Sequence, residues 1–422
     1  MTRARPLALT LLLAFAPLAL AQPDTTKPQP QPEPQQPAAE PEVQDAPPEP
    51  VAEPEPTLVL RELLVLQTDR YDDTANNPKL IPTTLFNPIP HQGRAKRVNV
   101  DGAYEFVPMP LGLITFQGTI DEPIKLRLTL NDSRDRFQAH WPPNAIEGDR
   151  FVQWQDVVTG EDQLRAIPFG NDQNWLDSIR NGDDRLWFQS RGGESKERFL
   201  LYDVALRFKP AIDLTLTDEQ YRLATRAPEQ AAPPLSILVR KSQAGWSSDA
   251  LAAPWTITPA PIATKHPDAT SATSLAQALE PIKDLLTSRG YNAQEIELAL
   301  GMIASAGFDK SNMSLVYVLP VGVIDEHIRL QIKPAPDQVI RTAIVVVNNV
   351  DPDLSSVINA LLDDLGSEQW FKRDRAQREL ITLGQAAIKK VQQLKSNKDP
   401  EIAFRARQIL EEYDWKMNGG NK

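Results

Sequence analysis

Apolar and polar residues alternate in several segments of the first two thirds of the chain. The alternation is clearest over 124–130, 200–208, 212–216 and 235–239. A period of two places one face of a strand in a core and the other in water. Asn, Asp, Gly and Pro residues of the kind found in turns lie between these segments. We therefore predict an antiparallel β-sandwich-like domain over 57–240.

A mixed pattern follows over 241–350, which we interpret as an α+β region. Apolar positions at helical spacing predict a helical hairpin over 274–306, and Asn292 with Glu295 is a predicted capping box for its second helix. Alternation resumes over 313–347, which predicts strands and ends in an apolar run typical of a central strand.

The C-terminal residues 351–417 have a helical period. After the start signal Asp351-Pro352, apolar residues recur at spacings of three and four up to Leu365. Three more helices are predicted over about 368–383, 385–396 and from 399 onward. On the predicted helix over 368–383, the residues expected to face inward are Trp370, Ala376, Leu380 and Leu383.

The first and fourth predicted helices match each other at an offset of 48 residues. This offset is close to the period of about 40–47 residues in helical-hairpin solenoids. With the segments Trp370–Ala376 and Phe404–Arg407, residues 351–417 resemble the HEAT-like repeats of exported bacterial proteins. The resemblance implies a protein-interaction surface and no chemistry. Two repeats are fewer than the three or so that a free-standing solenoid needs, so packing of the tail on the β-rich body is the alternative.

The expected fold class is therefore α+β and multidomain. A mainly antiparallel, β-sandwich-like body precedes a C-terminal all-α module of HEAT-like helices.

Residues 1–21 have the pattern of a secretory signal peptide. Two arginines precede the apolar run Leu7–Leu20, and cleavage is expected after Ala21. An uncleaved membrane anchor is the alternative, but the run is shorter than the ~20 residues of a membrane span and contains Pro17. We expect an exported protein, periplasmic or extracellular, with no transmembrane segment after cleavage.

Residues 22–56 contain twelve prolines and carry a net charge of −7. Proline at this density favours extended polyproline II, so we predict a disordered Pro/Glu-rich tether. The alternative is a proline-rich ligand for an envelope partner. The whole chain has a net charge of −11, which disfavours nucleic-acid binding. It has no cysteine, which excludes disulfides and thiolate metal sites.

An acidic stretch in the β-rich body provides candidate metal ligands. Calcium takes six to eight oxygen ligands. Asp and Asn are also the ordinary residues of turns, and that interpretation stays open. The candidate calcium ligands are Asp172, Asn174, Asp177, Asp183 and Asp184.

Tryptophans of the β-rich body are candidates for stacking on sugar rings of the cell wall. Large aromatic residues also fill hydrophobic cores, which is the alternative for each of them. The candidates are Trp141, Trp154, Trp175 and Trp187.

The sequence has no nucleophile elbow, P-loop or dinucleotide-binding motif, and we expect no cofactor. The favoured hypothesis is a non-enzymatic binding or scaffold protein of the cell envelope, whose tail 351–417 contacts a protein partner. A carbohydrate- or peptidoglycan-binding β-sandwich, with wall polysaccharide as its partner, is the first alternative. A hydrolase with a scattered active site is the second.

Overall fold

The structure is a computed structural model of the 422-residue chain. The predicted signal peptide 1–21 and tether 22–56 lie outside the residues that it describes. The described residues are 58–69, 96–98, 104–106, 111–167, 176–182, 185–190, 194–208, 210, 212–225, 233–242, 245–251, 256–264, 273–307, 311–383 and 385–417.

Strands dominate the described residues up to 350, and helices dominate after it. The strands are β1 Leu58–Asp69, β2 Lys96–Val98, β3 Tyr104–Phe106, β4 Gly112–Gly118, β5 Ile124–Leu130, β6 Arg136–Trp141, β7 Ile146–Gly148, β8 Phe151–Thr159, β9 Arg165–Ala166, β10 Phe188–Ser190, β11 Ser195–Lys196, β12 Phe199–Ala205, β13 Ile212–Thr217, β14 Gln220–Thr225, β15 Ser236–Ser242, β16 Gly245–Ala250, β17 Ala260–Thr264, β18 Met313–Val318, β19 Ile328–Lys333 and β20 Gln338–Asn348. The helices are α1 Asp177–Arg180, α2 Leu275–Ala278, α3 Glu280–Ser288, α4 Ala293–Gly307, α5 Val321–His327, α6 Leu354–Asp364, α7 Trp370–Leu383, α8 Gln385–Gln393 with a 3₁₀ turn Leu394–Ser396, and α9 Pro400–Met417.

The fold is α+β, and its centre is an eight-stranded sheet. The strand order is β16-β15-β18-β20-β1-β4-β12-β6 within the described part of the chain. Strands β1 and β20 pair in parallel, with Leu60 opposite Val339, and β1 pairs antiparallel with β4 on its other side. The two strands most distant in sequence therefore form the middle of the sheet.

The two faces of this sheet pack against different layers. On one face, residues such as Leu64, Phe116 and Val345 share a core with the smaller sheet β10-β8-β5-β19. On the other face, alternate residues such as Leu63 and Val346 pack against helices α3 and α4. Because both faces are buried, the central strands have apolar residues on both sides, as buried parallel pairs do.

The structure corrects the predicted division of the body at residue 240. Strand β15 spans this position and pairs with β16 on one side and β18 on the other. Strands from 57–240 and from 241–350 therefore belong to one sheet, and residues 55–422 form one compact unit. The sandwich prediction also missed the parallel pair, and it did not place the predicted helices of 274–306 on the second face of the sheet.

The predicted capping box lies at the start of α4. The backbone N–H of Glu295 donates to Asn292 Oδ1 at 2.8 Å, and the backbone N–H of Asn292 donates to Glu295 Oε2 at 2.9 Å. Both donors at this helix terminus are therefore satisfied reciprocally. A helix that the sequence did not predict, α5, lies between β18 and β19.

Helices α6 to α9 have a hydrophobic core of their own. Its members include Leu361 and Leu365 near the end of α6, Leu380 of α7, and Ile409 of α9. Helix α6 begins at Leu354, later than the predicted start at Asp351-Pro352, because Asp351 Oδ1 accepts from the N–H of Asp353 in a turn before the helix.

Candidate functional site on the C-terminal helices

Helices α7 and α9 lie side by side and point in the same direction. Arg373 of α7 pairs with Glu401 of α9 at 3.4 Å, and Gln377, one turn later, donates to Gln408 Oε1 at 3.3 Å. Residue numbers rise along both helices at these contacts, so the N-terminal turns of α7 and α9 lie at the same end. Helix α8 returns the chain between them.

The two other helices form the second layer of the tail. Lys390 of α8 donates to Ser355 Oγ at 2.8 Å and to Asn359 Oδ1 at 2.7 Å, both on α6. The tail thus consists of two helical hairpins, α6–α7 and α8–α9, packed side by side.

Three large aromatic residues are exposed on the α7/α9 layer. The exposed fractions are 67% for Trp370, 55% for Phe371 and 48% for Phe404. Single exposed apolar residues are ordinary, but several exposed aromatics on adjacent helices are typical of interaction sites. We define these three residues as the aromatic face.

The exposure of Trp370 corrects the prediction that it faces inward. At 100° per residue, Trp370 lies about 120° around α7 from Ala376 and about 80° from Leu380, which are both buried. Phe404 lies about 120° around α9 from buried Leu410. The helical period of the sequence already places Trp370 away from the buried face of α7. The prediction instead followed the apolar character of tryptophan.

The tryptophan candidates for sugar stacking are placed differently. Trp154 is fully buried, and Trp141 is 9% exposed with its Nε1 donating to Glu197 Oε2 at 2.8 Å. A sugar ring cannot reach either of them, so these two are core residues. Trp187 is half-buried, and its ring is covered by Lys196 Nζ at 5.2 Å and the Arg198 guanidinium at 4.7 Å. Trp175 lies outside the described residues.

The calcium candidates are only partly described. Asp177 is exposed in the first turn of α1. The other four, Asp172, Asn174, Asp183 and Asp184, lie outside the described residues. Within the described ranges, no group of three or more His, Cys, Asp or Glu side chains is placed to hold a metal ion.

Buried charges form a second feature that the sequence reasoning missed. Glu62 of β1 pairs with Arg341 of β20 and accepts from Tyr202 Oη at 2.5 Å. Burial, and next the Glu62 carboxylate, raise the pKa of Tyr202 well above its usual value. Tyr202 is therefore a neutral donor that holds the carboxylate in place. Since these groups satisfy one another, we interpret the network as a structural link between central strands.

Asp135 is a buried carboxylate with a testable pH dependence. It is 1% exposed; its Oδ1 accepts from the N–H of Arg207 at 2.8 Å, while Oδ2 has no hydrogen-bond partner in the described part of the chain. Burial raises the pKa of Asp135, although the Arg207 N–H opposes this. The folded state therefore binds this proton more tightly than the unfolded state, and stability falls as pH rises through the raised pKa.

We expect Asp135→Asn to remove this pH dependence. Wild-type stability relative to Asp135→Asn should increase as pH falls from about 7 to about 4, because the folded carboxyl takes up its proton first. Urea unfolding of both proteins at the two pH values measures the difference. A stability difference between the two proteins that is the same at both pH values, or that favours the variant at low pH, contradicts a raised pKa of Asp135.

None of the helices within the described ranges combines the length and apolar character that crossing a membrane requires. Comparisons of the chain with protein-family models, with curated proteins and with solved structures found no match.

Proposed function

We propose that the protein is an exported, non-enzymatic binding or scaffold protein of the cell envelope that contacts a protein partner through its C-terminal helices. The observation that carries the proposal is the aromatic face, because Trp370, Phe371 and Phe404 expose large apolar surfaces on two adjacent helices. Tryptophan and other aromatics dominate the energy of protein–protein interfaces.

The arrangement of the tail supports this proposal. Two helical hairpins packed side by side, with α6 beside α8 and α7 beside α9, agree with the HEAT-like character proposed for 351–417. Such repeats present extended helical surfaces for binding. The tail also has a hydrophobic core of its own, separate from the two cores on the faces of the sheet.

Export and a periplasmic or extracellular location are part of the same proposal. They are supported by the basic, apolar and Ala21-terminated pattern at the N-terminus. The proline-rich residues 22–56 would space the body from other envelope components.

Cross-linking of the mature chain in its native envelope, followed by mass spectrometry, tests the proposal. We expect the recurrent cross-links to a protein partner to concentrate on the lysines of the tail. Five lysines of the tail carry this expectation: Lys372, Lys389, Lys390, Lys395 and Lys398. Recovery mainly with wall polysaccharide, and with no recurrent protein, would instead support the glycan-binding alternative.

The triple variant Trp370→Ala, Phe371→Ala and Phe404→Ala is expected to lose these cross-links. Truncating aromatic residues at the centre of an interface costs about 2 kcal/mol or more of binding energy each. Stability should change little, because exposed side chains contribute within about 0.5 kcal/mol each. Measurement of cross-link yield together with a thermal unfolding curve separates the two effects.

A matched control exists on the β-rich body. Ile146, Ile257 and Val339 are exposed by 46%, 65% and 43%, and their triple replacement by alanine removes a similar type of surface elsewhere. This control should retain the tail cross-links. If the aromatic triple variant retains them as well, or if deletion of 351–422 leaves every partner bound, the proposed function is wrong.

A further inference from the structure

The outer face of the smaller sheet carries four cations on two paired strands. Apolar residues of β5 and β19, such as Leu126 and Leu330, pack into the core that this sheet shares with the central sheet. Side chains alternate along a strand, so the residues between them lie on the outer face. Four of these are basic, and we define them as the basic face: Lys125 and Arg127 of β5, and Arg329 and Lys333 of β19. Neither strand contains an acidic residue, in a chain whose net charge is −11.

The pairing of β5 with β19 brings the four cations together. Lys125 lies directly opposite Lys333, which places their Cβ atoms about 5 Å apart. Arg127 lies opposite Gln331 and is therefore diagonal to Arg329 and to Lys333, at about 7–8 Å. The strand register thus concentrates four positive charges in one patch of the surface.

Neighbouring acids do not neutralise these cations. None of the four forms an ion pair within the described part of the chain, and Lys125, Arg329 and Lys333 are exposed. Asp121 and Glu122, which precede β5, are also exposed and pair with none of them. Like charges directly opposite each other on paired strands are destabilising. The facing lysines therefore cost stability unless an anion lies between them.

Protection of a sheet edge explains only half of this pattern. Among the described strands, β19 lies at an edge of the smaller sheet, and charged residues on an edge strand prevent pairing with another chain. Strand β5, by contrast, is paired on both sides, with β8 and with β19. Lys125 and Arg127 therefore protect no edge, and binding of an anion is the role that they share with the cations of β19.

The surroundings of the basic face favour one kind of anion. The Arg127 guanidinium lies over the Phe151 ring, 3.9 Å from its centroid, so this ring is not free to stack on a nucleic-acid base. On the two strands, the residues between the cations are Thr129 and Gln331, which are polar and provide no anchor for insertion into a membrane. Two ammonium groups that approach from facing strands suit a phosphate, whose oxygens point in several directions.

We propose that the basic face binds a linear polymer whose units are joined by phosphodiester groups. One phosphate would bind between Lys125 and Lys333, and the next phosphates along the polymer would bind Arg127 and Arg329. Alternate residues of a strand are about 7 Å apart, so the sheet presents its cations at a regular spacing to a regular polymer. This inference goes beyond the proposed function, because it concerns a second surface and does not depend on the aromatic face.

A labelled oligomer of about ten glycerol phosphate units is a suitable probe, because it carries phosphodiester charges and no bases. In fluorescence anisotropy with the mature chain, we expect saturable binding that weakens as salt rises, since binding releases counterions. Tighter binding of oligothymidylate, of a polyglutamate peptide or of phosphatidylglycerol vesicles at equal anion concentration would overturn the assignment to this polymer.

Substitution of the facing lysines tests the site itself. Lys125→Gln with Lys333→Gln should weaken binding of the oligomer at least about tenfold and lower the slope of log affinity against log salt by about one per lysine. Lys125→Arg with Lys333→Arg keeps both charges and should stay within about threefold of the wild-type affinity. Thermal unfolding should show that the glutamine variant is no less stable than the wild type, because the repulsion between the lysines is removed.

The matched control removes the same charge elsewhere. Lys241 and Lys283 are exposed on β15 and α3, and their joint replacement by glutamine should change the affinity by less than about twofold. Equal losses in this control and in the variant of Lys125 and Lys333 contradict a defined site, as does wild-type affinity in the latter.

The aromatic triple variant separates this inference from the proposed function. It should lose its envelope cross-links and still bind the glycerol phosphate oligomer with wild-type affinity. If it remains folded but no longer binds the oligomer, the polymer binds at the tail and the basic face is not its site. If it keeps both its cross-links and its affinity for the oligomer, the proposed function is wrong and the basic face stands.

Discussion

Replacement of Arg185 by methionine is expected to lower the free energy of unfolding by about 3–5 kcal/mol. Arg185 and Glu295 are both fully buried, and Arg185 Nη2 lies 2.5 Å from Glu295 Oε2. Removing one partner of a buried pair leaves the other charge in an apolar environment without compensation, which has this large cost.

The other hydrogen bonds of Glu295 keep its carboxylate buried when Arg185 is replaced, so the loss of stability is not relieved. Its Oε1 also accepts from Thr115 Oγ1 at 2.6 Å and from Arg185 Nε at 3.0 Å, and its Oε2 accepts from the capping N–H of Asn292. The carboxylate is thus fixed by strand β4, by the segment after α1 and by the start of α4. It cannot turn to water when Arg185 is removed.

Urea denaturation of Arg185→Met against a matched surface variant measures the effect. Lys283 and Glu280 form an ion pair at 2.7 Å with both side chains about half exposed, so Lys283→Met should destabilise the protein far less than Arg185→Met. The double variant Arg185→Met with Glu295→Met removes both charges and should recover part of the loss. Equal costs for Arg185→Met and Lys283→Met contradict the buried-pair interpretation.

Local patterns predicted the elements well where their partners are close in sequence. The four tail helices and the Asn292–Glu295 capping box depend on residues three to four positions apart, which a single sequence displays directly. The position of Trp370 was predictable from the same period. It was missed because a large aromatic residue was assumed to be buried.

The sheet could not be predicted in this way. Strand β1 pairs with β20, and Leu58 N–H donates to Asp337 Oδ2 across 279 positions of sequence. Alternation reveals that a strand has a buried face, but it does not name the neighbouring strand. The run that begins at Leu58 is apolar on both faces, so its period does not distinguish a strand from a buried helix.

The buried charge pairs could not be predicted for the same reason, because they depend on which strands are neighbours. Glu62 follows Arg61 in an otherwise apolar run of β1, and Arg341 is the single charge of β20. They meet only because β1 and β20 pair in register. In the tail, by contrast, the aromatic face depends on local helical geometry. The proposed site was therefore more accessible to sequence reasoning than the core that carries it.

Replacement of Gly112 by alanine is expected to destabilise the protein by about 3 kcal/mol. Gly112 of β4 is the cross-strand partner of Tyr202 on β12, and a Cβ at this position would overlap the Tyr202 ring. An aromatic residue packed over a strand glycine covers the backbone that the glycine leaves bare. Adding a methyl group to such a filled position forces side chains from their rotamers.

The Tyr202 ring has no room to move aside. It is fully buried, its hydroxyl donates to Glu62 Oε1 at 2.5 Å, and the Phe137 ring packs against it with centroids 6.2 Å apart. The ring is thus held by the hydrogen bond of its hydroxyl and by a T-shaped contact with Phe137. Relief of the clash would break the hydrogen bond to a carboxylate that also pairs with Arg341, so the strain spreads to β1 and β20.

Gly322→Ala is the matched control. Gly322 lies in helix α5, and a Cβ there would meet nothing within 4 Å. Alanine is favoured over glycine within helices by about 0.5–1 kcal/mol, so this variant should be slightly more stable than the wild type. Chemical denaturation of both variants therefore tests whether the same substitution lowers stability at Gly112 and raises it at Gly322. If the free energy of unfolding of Gly112→Ala lies within about 0.5 kcal/mol of the wild-type value, the packing of Tyr202 does not require a glycine at this position. The central strands then tolerate repacking beside the Glu62 carboxylate.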